Sequence, residues 1–305
     1  MPDQDALKVG TRASALALAQ AEAVAEMLGN CVLEVITTAG DRSTEGDKGR
    51  FVTAIEEALE AGEIDLAVHS AKDLPGSDRS GLRIAAVPTR EDPRDALVTT
   101  ASGVSIEDLP QGASIGTSSL RRKAQLLSRR PDLEIVSVNG NVDSRLARLA
   151  EGEFDGLVLA AAGLNRLSRS NEISSYLDPH SFTPSPGQGC VAVQSREGDP
   201  AQEAAGQITD QTSAEELACE RAAARKLEAD CDSAVGILAS ATEDSVTVRG
   251  WCGLPDGSEW IADSVEGPRG EARDLGERVA ERLLAAGAGE IIERSGEMVS
   301  REETP

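Results

Sequence analysis

Through residues 7–163, short apolar segments alternate with helix-patterned stretches, and that alternation restricts the chain to few folds. LKVG (7–10) reads as a strand, and an Ala/Leu-rich helix follows from Ser14 to Leu28. CVLEVIT (31–37) is a strand, AGDRSTEGDKGR (39–50) a loop, FVTAIEEALEAG (51–62) a helix and IDLAVHS (64–70) a strand. The series resumes after TREDPRD (89–95). ASIG (113–116), LEIVSV (133–138) and DGLVLAAAG (155–163) read as strands, with helices at 118–130 and 142–152 between them. Strand–helix–strand repetition builds βαβ units around a mainly parallel sheet. The Pro/Gly segment TPSPGQG (183–189) closes the block.

The last third is different. A helix over 212–230 is followed by alternating segments at 236–241, 245–253 and 259–265, then a helix over 270–287. This pattern predicts a small α+β domain with an antiparallel sheet. A chain of 305 residues has room for two or three such units.

Charge narrows the partners. The net charge of −23 repels phosphate, so nucleic acid is not expected to bind. No apolar run approaches the roughly 18 residues of a membrane span, so no membrane partner is expected. MPDQDALKVG lacks a basic-then-apolar leader pattern, which predicts a cytoplasmic protein. Arginines number 25 against five lysines, and there are six aromatic residues. Acidic, Lys-poor and aromatic-poor together predict adaptation to high salt, where screening shortens the reach of carboxylate repulsion. Five cysteines (31, 190, 219, 231, 252) include no CxxC, and with two histidines (69, 180) no zinc site is expected. Cytoplasmic thiols stay reduced, so most of these are small buried apolar groups and one is left to explain.

The ends of the expected strands carry the chemistry. GTSSLRR (116–122) is a strand end, a glycine, three hydroxyls and a helix start bearing Arg121 and Arg122. Helix N-termini present unpaired N–H groups, and arginine forks suit carboxylate or phosphate. VNGNVDSR supplies Arg145, AGLNR supplies Arg166, and TRAS supplies Arg12 and Ser14 at similar junctions. In open α/β sheets the carboxyl ends of strands form the binding crevice. Cationic groups gathered there in an acidic protein predict a polyanionic ligand bearing several carboxylates. AVHSAKDLPG (67–76) ends another strand and places Lys72 beside Asp73, the one carboxylate expected in a basic crevice. Such a group serves as a general acid–base or stabilises a cation. His69 is expected as a hydrogen-bonded core residue rather than the catalyst.

These segments, with KGRFVTAIEEAL, REDPRDALV, PSPGQGCVAV and ERAAARKLEADC, resemble the hydroxymethylbilane synthase (porphobilinogen deaminase) family and stand in its order over residues 7–240. The resemblance implies an α/β fold: two α/β domains similar to periplasmic binding proteins facing a cleft, plus a C-terminal α+β domain. It implies domain 1 over 1–91 and 185–209, domain 2 over 92–184 and domain 3 over 210–305. The implied reaction is head-to-tail condensation of four porphobilinogen molecules with loss of ammonia, primed by a dipyrromethane cofactor on Cys231, which accounts for the odd thiol. Asp73 matches the family's catalytic carboxylate. By the same resemblance Ser14, Ser70, Lys72, Asp73, Thr117, Ser119, Arg121, Arg122 and Arg145 hold the cofactor. Arg12, Gln20, Arg145, Arg166 and Gln188 meet the substrate. The loop over 39–50, ending near Lys48 and Phe51, fits the family's mobile cover, and a monomer is expected. Two departures stand out: Asn139 where the family usually has arginine, and Ala229-Asp230-Cys231-Asp232-Ser233-Ala234 around the cofactor cysteine. The competing reading is a two-lobed anion-binding protein without catalysis.

Overall fold

The computed structural model describes residues 6–36, 48–229 and 233–302. The first lobe begins with β1 (Leu7–Thr11), α1 (Ala15–Leu28), β2 (Cys31–Val35), α2 (Lys48–Glu60), β3 (Leu66–Ser70) and β4 (Leu82–Ala86). Ser14 caps α1, its hydroxyl accepting the Ala17 N–H at 3.3 Å, and Gly29 stops the helix at φ +89. β1 pairs in parallel with β2 and β3, and Val9, Leu66 and Val68 drive the sheet face into a core shared with Ala21 and Val24 of α1.

The chain then crosses to the second lobe: β5 (Asp95–Thr99), β6 (Ser114–Gly116), α3 (Leu120–Arg129), β7 (Glu134–Val136), α4 (Val142–Ala150), β8 (Gly156–Ala160), α5 (Ala161–Arg166) and β9 (Ser175–Tyr176). It crosses back to β10 (Val191–Arg196) and α6 (Pro200–Gly206). The two five-stranded sheets share one plan, with orders β2-β1-β3-β10-β4 and β7-β6-β8-β5-β9. In each, three parallel strands meet an antiparallel fourth that arrives directly from the opposite lobe, β10 in one and β5 in the other. Four of the five strands in each sheet run the same way, so the sheets are mainly parallel in direction as expected, with the one reversed strand making them mixed.

The crossings run side by side, the Glu91 N–H donating to the Gly189 carbonyl at 3.1 Å. Gly189 has φ +89, and a Cβ there would fall on the Glu91 carbonyl oxygen, so the close approach requires glycine. α7 (Gln211–Lys226) leads into the third unit, an antiparallel sheet of β11 (Val235–Ala241), β12 (Ser245–Gly253) and β13 (Trp260–Pro268). This sheet is covered by α7, α8 (Ala272–Ala285) and α9 (Ala288–Glu302) around one apolar core.

Several expected boundaries move. α2 starts at Lys48 rather than 51, and β8 ends at Ala160, where the Ala-Ala-Gly run turns into α5 instead of prolonging the strand. The expected final helix ends at Ala285; Gly287 (φ +104) turns the chain and α9 adds a second helix. Ala288, Ile291, Ile292, Ser295 and Met298 give α9 a buried or half-buried face at helical spacing. Among the described residues no helix is long and apolar enough to cross a membrane.

One buried ion pair joins the three units. Arg90, on the first crossing, donates to both carboxylate oxygens of Glu220 on α7 (2.8 and 3.2 Å), to Glu216 (3.2 Å) and to the Gln188 carbonyl on the second crossing (3.0 Å). Glu220 also accepts the N–H groups of Gly187 (2.6 Å) and Ala239 (2.8 Å). Arg90→Ala leaves Glu220 buried without its counter-charge and should cost about 3–5 kcal/mol, read from chemical denaturation midpoints. A loss below about 1 kcal/mol would mean that water already reaches Glu220.

Candidate active site

The cleft between the lobes is lined by the strand ends singled out in the sequence. On the first lobe, Ser70 ends β3 and a single 3-10 turn over Ala71–Asp73 follows. The Ala71 N–H donates to the Cys190 carbonyl (3.0 Å), and Pro75 prevents the turn from growing into a helix. This turn presents Lys72 and Asp73. A recess there is lined by Arg12, Ser14, Leu16, Ala17, Gln20, Val52, Ile55, Val68, His69, Ser70 and Asp73. Among these described residues Asp73 is the only carboxylate. Gln20 is buried on α1, and its Nε2 donates to the Ser70 hydroxyl at 2.9 Å.

The second lobe faces it with guanidinium groups. Thr117 is buried, and its hydroxyl accepts the Ser119 N–H at 3.2 Å. Ser119 caps α3, accepting the Arg122 N–H at 3.5 Å. Asn141 caps α4, which carries Arg145, whose Nε donates to the Gly140 carbonyl (2.9 Å). Arg166 ends α5 and donates to the Gly189 carbonyl (2.7 Å). Among the described residues no carboxylate pairs with Arg145 or Arg166. Burial and the neighbouring Arg122 charge lower Arg145 to about 10. Burial lowers Arg166 as well, against the pull of Glu91. Cations held this way gain from any anion that enters. The lobes also touch directly, since a methyl at Gly163 would meet Leu16 at 3.6 Å.

Arg121 and Arg122 are placed differently from the exposed anion fork that a helix start suggests. Both are buried, and both turn onto Asp95, which is fully buried. Arg121 Nη1 donates to Asp95 Oδ2 at 2.7 Å, and Arg122 donates to Oδ1 from Nη2 (2.7 Å) and Nε (3.0 Å). Gln188 joins them, its Nε2 donating to Asp95 Oδ1 at 3.0 Å and its Oε1 accepting from Lys72 Nζ at 3.5 Å. Burial alone would raise the Asp95 carboxyl, but the two guanidiniums override it and hold it far below the usual carboxylate range. Sequence reasoning passed over Asp95; an acidic residue opening an apolar strand carries no signal of what will reach it. Cys231 and loop residues 39–47 lie outside the described residues, whereas Lys48 to Phe51 open α2.

His69 is buried as expected, yet it lines the recess, and its Nε2 has no hydrogen-bond partner. Burial lowers it to about 4, with Asp73 pulling the other way, so it is neutral at pH 7.

Comparison with known proteins decides what this arrangement belongs to. The sequence model described as porphobilinogen deaminase, dipyromethane cofactor binding domain, matches residues 7–204, and that of the porphobilinogen deaminase C-terminal domain matches 214–285. The chain belongs to the porphobilinogen deaminase family. It is 46% identical to the porphobilinogen deaminase of Syntrophotalea carbinolica, over 94% of this chain and 95% of the relative. Identity to the Thermus thermophilus protein is also 46%, over 93% and 97%. For the Deinococcus radiodurans protein it is 42%, again over 93% and 97%. The activity is that of a hydroxymethylbilane synthase, a transferase of porphyrin biosynthesis with a dipyrromethane cofactor. α9 lies beyond the matched C-terminal domain.

His69 has a pH signature. Its folded value near 4 lies below the ordinary value of 6.5, so the unfolded chain binds the extra proton first as pH falls. Its stabilisation is present above pH 6.5 and is lost on the way down to pH 4, on the order of 3 kcal/mol in all. His69→Gln should flatten the melting temperature across that window relative to the parent. Parallel curves would mean that water or a rotated ring accommodates the charge.

Proposed function

We propose that the cleft carries out the family reaction with Asp73 as its acid–base group and Cys231 as the attachment point of the dipyrromethane. One observation carries the reading: Asp73 is the lone carboxylate lining the recess, while Arg145 and Arg166 on the second lobe donate only to carbonyls. The residues present suit a polycarboxylate. Arg145 and Arg166 pair directly with no carboxylate among the described residues, Arg166 feeling only the nearby charge of Glu91, and Arg121 Nε is buried without a hydrogen-bond partner. Ser14 and Ser119 accept helix N–H groups and keep their own O–H hydrogens to donate.

Ser14, Ser70, Lys72, Thr117, Ser119, Arg121, Arg122 and Arg145 would hold the cofactor. Arg12, Gln20, Arg145, Arg166 and Gln188 would receive porphobilinogen. When bound, the dipyrromethane supplies the pyrrole carbon to which the next unit is joined. Asp73 donates a proton to the departing amine, offsets the positive charge left on the substrate and takes up the proton released when the new pyrrole regains aromaticity. Lys72 and the arginines orient carboxylates.

The division into domain 1 (1–91 and 185–209), domain 2 (92–184) and domain 3 (210–305) belongs to the same proposal. It is supported by β10 completing the first sheet and by the two crossings. We also propose a cytoplasmic monomer adapted to high salt. The four described cysteines are free, and the charge balance favours salt. Rates rising towards molar KCl would support the last point, and a steady fall from low salt would remove it.

Asp73→Asn keeps the shape and loses the charge. It should fold and lower turnover by about two orders of magnitude or more, measured as product formed per enzyme. Near-normal turnover would take Asp73 out of the reaction. Cys231→Ser should carry no dipyrromethane by intact mass, because an alcohol is a far poorer nucleophile than a thiolate. An adduct on Cys31, Cys190, Cys219 or Cys252 would overturn the assignment.

A further inference from the structure

We propose that Asp95 is a positioning residue that sets the net charge of the carboxylate-binding wall. Consecutive helical residues point about 100° apart, yet Arg121 and Arg122 both reach this one carboxylate, at 2.7 Å each. Asp95 thereby fixes two cationic side chains whose like charges would otherwise separate them. Through Gln188 it is also linked to Lys72 on the opposite lobe. Arg121 Nη1 also donates to the Thr183 carbonyl and Arg122 Nη1 donates to the Val158 carbonyl, each at 2.9 Å, while Arg121 Nε has no partner.

The count of charges matters as much as the geometry. Arg121, Arg122 and Asp95 together carry one net positive charge; without Asp95 the same buried cluster would carry two. Each added pyrrole brings an acetate and a propionate, so a wall of excess positive charge would hold the lengthening chain ever more firmly. Asp95 keeps the attraction strong enough to retain the chain and weak enough to release it. This inference rests on the proposed assignment of Arg121 and Arg122 to the chain's carboxylates.

The test is a set of charge swaps with near-isosteric groups, read by intact mass after brief exposure of the holoenzyme to limiting porphobilinogen. The readout is the distribution of bound chain lengths. Asp95→Asn should shift bound material to the longest chains and slow product release about tenfold, an effect that fades towards molar salt. Arg122→Gln, with no net charge left in the cluster, should lose the long chains. Combining Arg122→Gln with Asp95→Asn restores one net positive charge and should restore the parent distribution. A merely structural Asp95 predicts the reverse, with the double variant worse than Arg122→Gln alone, and that result overturns the proposal. If Asp95→Asn does not fold, the rescue comparison still decides. If Arg122→Gln leaves bound chains unchanged, the assignment of the arginine pair itself fails. Loss without rescue sinks only the role of Asp95.

Discussion

Burying the Arg90 guanidinium where the two crossings meet α7 constrains every unit of the molecule at once. Arg90 lies on the first crossing and its partners come from the second crossing and from α7, so no unit can shift without disturbing an ion pair that is almost wholly buried. Taking two charges out of water costs several kcal/mol per ion unless the remaining donors and acceptors are satisfied. Here the Gly187 and Ala239 N–H groups complete Glu220. The glycine at 189 lets the crossings lie close enough for the same arginine to serve both. The cleft exists as a defined gap because its two walls are hinged on this fixed point.

The electrostatics of the cleft run against those of the whole chain. A chain with 53 acidic residues lines its cleft with guanidiniums that are half-buried or fully buried. Burial lowers the Arg145 and Arg166 values, and an arginine keeps its charge even so, where a lysine would lose it more readily. That difference gives the use of Arg at nearly every anion-facing position a physical reason. The surrounding acidic surface also leaves the cleft as the favourable place for a polycarboxylate to settle.

Much of this was legible in the sequence because strand ends and helix caps are local signals. Ser14, Ser119 and Asn141 cap the helices that carry or flank the cleft residues, and Asp73 follows β3 in the turn where a strand end was expected. What stayed hidden depends on distant chain. The antiparallel strands β5 and β10 take their direction from the crossings, which no local period encodes. The Ala-Ala-Gly run after Ala160 is apolar whether read as strand or helix, so periodicity could not end β8 there. α9 did carry a helical pattern, but the Gly287 turn was read as the end of helix rather than a joint between two. The fate of Arg121 and Arg122 hinged on Asp95, 26 residues before Arg121, and only the folded sheet brings it beneath them.

The position of β10 has a bearing on how the chain is made. It lies between β3 and β4 in the first sheet, yet it is encoded after the whole second lobe. As the polypeptide emerges from the ribosome, β1 to β4 appear first with a gap where their fourth strand belongs, leaving two strand edges unpaired. The second lobe is contiguous from β5 to β9 and has all its strands before β10 is synthesised. Folding order on the ribosome therefore inverts sequence order: the middle of the chain closes first, and the beginning waits for the segment at 191–196 to fill its sheet.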